Sequence, residues 1–163
     1  MREARIWPET SLAITAASEH FTATLAEGAF KHQVLDACDP RMKELLAWHA
    51  AEEIEHKAVA YDVLQTIDPS YRLRVLGLAM ATVMLGGFWI WAATSLLRQD
   101  GLTWFTAFRQ MRSLPKRDPV VRRVFLRGIR EYLRRDFHPS DNANDHLAAE
   151  WFAAGGLTMP EAA

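Results

Sequence analysis

Apolar residues recur every three or four positions along most of this chain, which is the spacing of α-helices that bury one face. The periodicity predicts a helix over residues 12–30 and a second over residues 41–67, with the turn between them at Asp39. Late in the second helix, the spacing directs three side chains toward the core: Val59, Val63 and Ile67. The pattern therefore predicts an all-α fold, a helical bundle that forms a single domain over residues 1–163.

A run of 23 residues without any charged side chain follows, from residue 75 to residue 97. Arginines lie on both sides of it, at Arg72, Arg74 and Arg98. As a helix the run would be about 34 Å long, enough to cross the hydrocarbon of a bilayer. The alternative is a helix buried in the core, but a domain of this size has little other chain to surround it. We expect this apolar helix to contact a membrane.

The chain after the apolar run is strongly basic. Residues 98–135 hold eleven basic and three acidic side chains, whereas residues 1–65 hold six basic and eleven acidic ones. We expect two helices over residues 103–137, in which an apolar strip lies beside a strip of arginines. Such a helix binds an anionic lipid surface or packs on the bundle with its arginines in water, and both interpretations stay open. Nucleic-acid binding is not expected, because no recognisable nucleic-acid-binding module accompanies the charge.

The sequence thus divides into four parts within one domain. They are a helical hairpin at residues 8–70, the apolar helix at 75–97, the basic helices at 103–137 and a tail at 147–163. Cys38 is the only cysteine in the sequence, so no internal disulfide is expected, and residues 1–8 are charged and lack the apolar core expected of a signal peptide. We expect a cytoplasmic protein that associates with a membrane through its apolar helix.

The densest set of chemically active side chains lies at residues 48–57, where the sequence reads Trp-His-Ala-Ala-Glu-Glu-Ile-Glu-His-Lys. Four of these side chains share one helical face about 100° wide: His49, Glu52, Glu53 and His56. The last two have the Glu-x-x-His spacing with which helical bundles direct ligands toward a pair of metal ions. The spacing suits a metal because residues three or four apart are neighbours on a helix.

The competing interpretation of this segment is a charged helix face in contact with water. Against it, small apolar residues flank the charged ones, which suits close packing between helices. Burying four ionisable groups on one face would be costly without an ion to neutralise them. Glu55 falls on another side of the helix and is not expected to bind metal. The order of residues does not match the zinc-protease motifs, so a zincin mechanism is not favoured.

Glu19 is the second candidate ligand position, because it lies on the apolar stripe of the first predicted helix. A single Glu in such a place is often a boundary residue. Metal sites in bundles, however, take single Glu residues from some helices and Glu-x-x-His pairs from others. His20 lies one step round the same helix, and His138 lies in a polar loop.

Three segments occur in the order expected of a known family: Glu-His-Phe-Thr-Ala at residues 19–23, the motif at 48–57, and Phe-His-Pro at 137–139. Together they resemble the bacterial family of predicted metal-dependent hydrolases, whose members look ferritin-like. The resemblance implies a metal site in a ferritin-like helical bundle that uses Glu19, Glu53 and His56. It also implies further ligands or supporting residues: His49, Glu52, His20 and His138.

By this resemblance the protein is a hydrolase in which a divalent ion of iron, manganese or zinc activates water for attack on a small-molecule substrate. Glu52 is then the candidate catalytic base. Two alternatives stay open. Carboxylates and imidazoles also suit iron and dioxygen, so a ferritin-like di-iron oxidase or oxygenase would use the same residues. A non-catalytic, membrane-associated protein that stores or senses metal would use them as well.

The family pattern has an earlier pair of helices with ligands of its own, whereas this sequence reaches the Glu19 helix directly. Either the chain is truncated, or two chains pair so that each donates two helices. A ferritin-like bundle is a near-repeat of two helical hairpins, and two-fold pairing restores four helices. We therefore expect a homodimer with metal ions on its two-fold axis.

Overall fold

The chain folds into packed α-helices in the computed structural model, which describes residues 8–113 and 120–155, with side chains at 8–110 and 125–155. The helices are α1 (Pro8–Lys31), α2 (Pro40–His56), α3 (Val59–Ile67), α4 (Tyr71–Gln99), α5 (Trp104–Ser113), α6 (Val120–Tyr132) and α7 (Asp145–Ala153). Two 3-10 turns lie at Val34–Ala37 and Pro139–Asp141. No strand occurs in the described ranges, so the predicted all-α class is confirmed. The end of the predicted tail, residues 156–163, lies outside them.

Two helices begin at side chains that satisfy a free backbone N–H. The Asp39 carboxylate accepts a hydrogen bond from the N–H of Arg41 at the start of α2, where Pro40 occupies the first helical position. Ser70 caps α4 in the same way, because its hydroxyl accepts from the N–H of Leu73. The turn predicted at Asp39 is confirmed.

The single helix predicted over residues 41–67 is wrong in one respect, because the structure interrupts it and forms α2 and α3. Two polar interactions accompany the interruption. The Lys57 ammonium turns inward and binds three oxygens of residues 142–145. The backbone N–H of Ala60, in the first turn of α3, donates to a carboxylate oxygen of Glu19 on α1. These hydrogen bonds stabilise the interruption, where the sequence pattern indicated one continuous helix.

The side of α3 that faces the core is not the predicted one. The side chains that were expected in the core are all at least 45% exposed: Val59, Val63 and Ile67. The buried ones on α3 are Ala60, Tyr61 and Leu64. The prediction failed because these three residues continue the side of α2 that carries His49 and His56, and that side is open to solvent rather than turned to the core.

Helix α1 contacts α2, α3, α4 and α6, and it packs most closely against α4. A Cβ atom at Gly77 of α4 would lie 2.4 Å from the carbonyl oxygen of Ala13 on α1. Ala16 and Ala17 are fully buried on the same helix. Small residues on both helices therefore allow their backbones to touch.

Helices α6 and α7 cover two other parts of the bundle. Phe125 of α6 stacks on Phe21 of α1 with ring centroids 4.6 Å apart, and Tyr132 at the end of α6 is fully buried. Ala148 of α7 is buried in a second cluster that includes Ile54 of α2. Helix α2 therefore lies between α1 and α7.

Helix α4 is the one helix among the described residues that is long and apolar enough to cross a membrane. Its first half is buried against the body of the protein at Gly77, Leu78 and Ala81. Only 17% of the most apolar stretch of α4 is buried. Among the described residues, α4 is therefore not a helix enclosed by the core, which was the alternative to membrane contact.

Candidate metal centre

The Glu19 carboxylate lies between α1 and the start of α3 and is half-buried. Its Oε2 accepts a hydrogen bond from the N–H of Ala60 at 3.1 Å. Burial raises the pKa of Glu19 above its ordinary value; the bond from Ala60 opposes this, the charge of Glu53 raises the pKa further, and His56 lowers it. Side chains of α1 and α2 thus interact electrostatically around Glu19.

Glu53 of α2 faces α1 and is held from both sides. The Thr22 hydroxyl donates to Glu53 Oε2 at 2.5 Å. The other carboxylate oxygen, Oε1, lies 3.5 Å from His49 Nε2, one helical turn earlier. Because Thr22 lies three residues after Glu19, one face of α1 contributes to the surroundings of both carboxylates.

Glu52 and His56 form a second pair of the same spacing, with 3.8 Å between Glu52 Oε2 and His56 Nδ1. The side chain of Glu52 is about one-third exposed, while those of His49 and His56 are 60% and 62% exposed. Glu55 is exposed. The four α2 residues therefore form two carboxylate–imidazole pairs.

This side of α2 is open to solvent, so the expectation of four buried ionisable groups that require an ion is wrong for the two histidines. The two imidazoles are mostly in water, and Glu53 is the most buried of the four side chains. Burial without an ion is thus costly for Glu19 and Glu53 but not for His49 or His56.

The donor types fit a divalent metal, but their arrangement within one chain does not close around one. Among the residues that the structure describes, no three His, Cys, Asp or Glu side chains form a group able to hold a metal ion. Carboxylate oxygen and imidazole nitrogen are nevertheless usual ligands of iron, manganese and zinc. One chain thus supplies suitable donors in pairs rather than a complete coordination sphere.

The two histidines expected to support the site make hydrogen bonds elsewhere. His20 is buried, its Nε2–H donates to Gly128 O at 2.8 Å, and its ring packs against Tyr132. Burial lowers the pKa of His20, so the imidazole is neutral at pH 7. The Nε2–H of His138 donates to Asp62 Oδ1 at 2.8 Å. His20 thus joins α1 to α6, and His138 joins the loop after α6 to α3, while their support of a metal stays a prediction.

Two residues that shape the site were not singled out from the sequence. Thr22 was detectable, because it lies on the stripe of Glu19, one helical turn away. Lys57 was not, because it is only 5% exposed and its partners lie 85 to 88 residues later in the chain. Its ammonium lies 2.7 Å from both Asn144 Oδ1 and Asp145 Oδ1.

The family of predicted metal-dependent hydrolases matches residues 1–143 of this chain, which is most of its length. The chain belongs to that family. The match includes α1, α2 and α3, and with them every residue predicted to bind metal. Membership indicates a metal-dependent hydrolase, and the family description specifies neither the metal nor the reaction. Comparison with curated proteins and with solved structures gives no match.

Proposed function

We propose that this protein is a metal-dependent hydrolase whose divalent cation binds on the open side of α1 and α2, to Glu19, Glu53 and His56. One observation carries the proposal. The Thr22 hydroxyl, three residues after Glu19 on α1, donates to Glu53 of α2, so two carboxylates from different helices lie on one face of α1, where the charge of Glu53 raises the pKa of Glu19. A cation between like charges removes this repulsion. Membership of the hydrolase family supports the same assignment.

A cation at this site would supply Lewis acidity and a nucleophilic water near neutral pH. The protein supplies the positioning. The N–H of Ala60 orients Glu19, and the Thr22 hydroxyl fixes Glu53 through Oε2. Glu52 is partly exposed beside His56, so its carboxylate is accessible to a substrate and can accept a proton as general base.

The solvent-exposed side of α2 indicates where the remaining metal ligands, which one chain does not supply, come from. His49 and His56 are mostly exposed, and exposed apolar side chains accompany them on α2 and α3: Met42, Leu45, Trp48, Val59 and Val63. A surface that combines ligands with apolar side chains suits contact with another helical hairpin. We propose that a second copy of this chain provides it.

The test measures metal content and hydrolysis in the same preparations. Wild-type protein loaded with manganese, iron or zinc should retain metal after gel filtration. It should also hydrolyse chromogenic esters or phosphoesters in a reaction that a chelator abolishes. Glu53→Ala and His56→Ala should lose metal and activity together, whereas the matched control Glu55→Ala should keep both.

Three results would contradict the proposal. Equal metal loss in Glu55→Ala and Glu53→Ala would show that the helical face is wrongly assigned. A wild-type protein that retains no metal would remove the site altogether. An iron form with an oxo-bridged absorption band, but without chelator-sensitive hydrolysis, would instead indicate oxidase chemistry.

A further inference from the structure

The second half of α4 and the start of α5 form a projecting hairpin, residues 86–109, whose apolar side chains face outward. Phe88, Trp89, Ile90 and Trp91 are consecutive, and each is more than half exposed. Across the turn, Trp104 and Phe105 of α5 are also more than half exposed. The Trp104 indole N–H donates to Thr94 Oγ1 at 3.1 Å, which attaches α5 to α4.

Exposed apolar side chains occur all round this part of α4 and not on one side only. Successive residues of an α-helix are about 100° apart, so the four at 88–91 point in all directions around the axis. A folded protein partner would cover the side it touches and leave the others in water. A helix that is apolar all round is buried in a large core or surrounded by lipid. The described residues of this chain provide no such core around the hairpin.

The charges next to the hairpin favour an anionic lipid surface. Arg98 lies in the last turn of α4, Arg109 follows the exposed aromatic residues of α5, and both are exposed. Basic residues beside an apolar surface are attracted to anionic headgroups, and tryptophan is enriched where headgroups meet hydrocarbon.

The fold also limits how deeply the hairpin can enter. The first half of α4 is held in the body of the protein, where Gly77 touches α1 and Arg74 is buried. The free part, residues 86–97, is about 18 Å long, and the hydrocarbon of a bilayer is about 30 Å thick. Arg98 and Asp100 at its end oppose insertion by the tip.

We infer that the hairpin at residues 86–109 is a lipid-binding surface that enters one leaflet of an anionic bilayer without crossing it. The hairpin would hold the hydrolase domain at the membrane surface. This inference rests on the exposure of α4 and α5 and not on the metal site.

Vesicle flotation of the full chain tests the inference. Wild-type protein should float with vesicles made of equal parts phosphatidylcholine and phosphatidylglycerol, and less with phosphatidylcholine alone. Ile90→Glu combined with Trp91→Glu should reduce the bound fraction roughly tenfold or more, because it places charge in hydrocarbon. Val34→Glu is the matched control, because Val34 is an exposed apolar residue outside the hairpin. This variant should bind vesicles as wild type does.

Circular dichroism of each variant shows whether the helices form. A second variant, Trp104→Ser with Phe105→Ser, removes apolar area from the same surface on α5 without adding charge, and it should also weaken binding. If wild-type protein does not float, or if both variants float as well as wild type, lipid is not the partner. If the surface instead drives self-association that vesicles do not compete with, a second copy covers it and the inference is wrong.

A cysteine at the tip decides whether the hairpin crosses. In a Cys38→Ser background, Asp100→Cys on protein bound to sealed vesicles should react with a membrane-impermeant maleimide added outside. Protection of that cysteine until the vesicles are opened would show a spanning helix and overturn the one-leaflet arrangement. Retention of metal by the Ile90→Glu and Trp91→Glu variant would separate failure of this surface from failure of the metal site.

Discussion

Glu19 and Ala60 are joined by a hydrogen bond from the backbone N–H of Ala60 to Glu19 Oε2, 3.1 Å long. Ala60 is the second residue of α3, and the first N–H groups of a helix have no acceptor within it. The break between α2 and α3 therefore supplies the donor that orients the Glu19 carboxylate. The break lies directly after His56, the last residue of α2, so two of the three proposed metal ligands lie close to it.

Lys57 lies at this break, and we predict that it stabilises the break. Its ammonium is buried on Asn142 O, Asn144 Oδ1 and Asp145 Oδ1. Lys57→Met removes three hydrogen bonds and leaves the buried Asn144 Oδ1 without this donor, so the free energy of unfolding should fall by about 2–3 kcal/mol. Chemical denaturation measures this. Amide exchange at Ala60 should also become faster, because the start of α3 is no longer anchored.

The control is Lys43→Met, which removes an exposed ion pair with Asp36 and should change the stability by less than about 0.5 kcal/mol. Equal effects of the two substitutions would mean that Lys57 acts only as a surface charge. If Lys57→Met destabilises the protein but leaves amide exchange at Ala60 unchanged, Lys57 does not anchor the start of α3 and does not help to orient Glu19.

Two glycines of α4 should respond to alanine in opposite directions. A Cβ at position 77 would lie 2.4 Å from Ala13 O, so Gly77→Ala must separate α1 from α4 and should cost about 2–3 kcal/mol. A Cβ at position 86 meets nothing within 4 Å, and Gly86→Ala should gain up to about 1 kcal/mol from helix propensity. Thermal unfolding of the pair measures both. A neutral Gly77→Ala would mean that the two helices are not in backbone contact.

Glu27 should make stability depend on pH. Its buried carboxylate binds Lys31 at 2.6 Å, Asn144 at 2.9 Å and Arg127 at 3.2 Å. Burial alone would raise the pKa of Glu27, but Lys31 and Arg127 hold it below the ordinary value of 4.5. A lowered folded pKa means that the carboxylate stabilises the fold fully above pH 4.5 and loses this contribution as the pH falls through the folded pKa.

Glu27→Gln should accordingly lower the free energy of unfolding by about 1–2 kcal/mol at pH 7. The difference from wild type should shrink below pH 4.5, where the wild-type carboxylate becomes protonated. Urea unfolding of both proteins at a series of pH values measures the difference in stability at pH 7 and its decrease at low pH. Glu44→Gln, at an exposed position of α2, is the control that should change little. A difference that does not vary with pH would point to lost packing rather than lost charge.

The parts of this structure that depend on local spacing could be predicted from the sequence. The helical class and the shared side of His49 and Glu53 follow from helical periodicity, and the turn at Asp39 follows from the Asp39-Pro40 pair that starts α2. The break at Lys57 could not be predicted, because its partners lie 85 to 88 residues away in the chain. Long-range hydrogen bonds of this kind leave no periodic signal.

The exposure of α3 and α4 shows the same limit. An apolar periodicity indicates which side chains share a face, but it does not say what covers that face. Val63 and Trp91 were both in apolar patterns, and both are exposed among the described residues. Whether such a residue meets the core, a second copy or lipid depends on contacts that one helix does not specify.

The last prediction concerns the second copy. One chain offers about three strong ligands, Glu19, Glu53 and His56, whereas a two-metal bundle site usually takes four Glu and two His. Two chains related by a two-fold axis supply that set. Their contact would also cover exposed apolar side chains of α2 and α3. Removing apolar surface from water is favourable by about 25 cal/mol per Å². We therefore predict a homodimer whose metal centre lies on the axis.

Mixed dimers distinguish a shared centre from two separate ones. Chains carrying different affinity tags are co-expressed, and the dimer of one wild-type and one His56→Ala chain is purified through both tags. If each chain held its own site, this dimer would keep half of the wild-type metal. A centre on the axis loses a ligand from the common set, so metal should fall well below half. The dimer of wild-type and Glu55→Ala chains should keep all of it, because Glu55 is exposed on another side of α2. A half-loaded mixed dimer, or a metal-loaded monomer in light scattering, would show that one chain completes the site by itself.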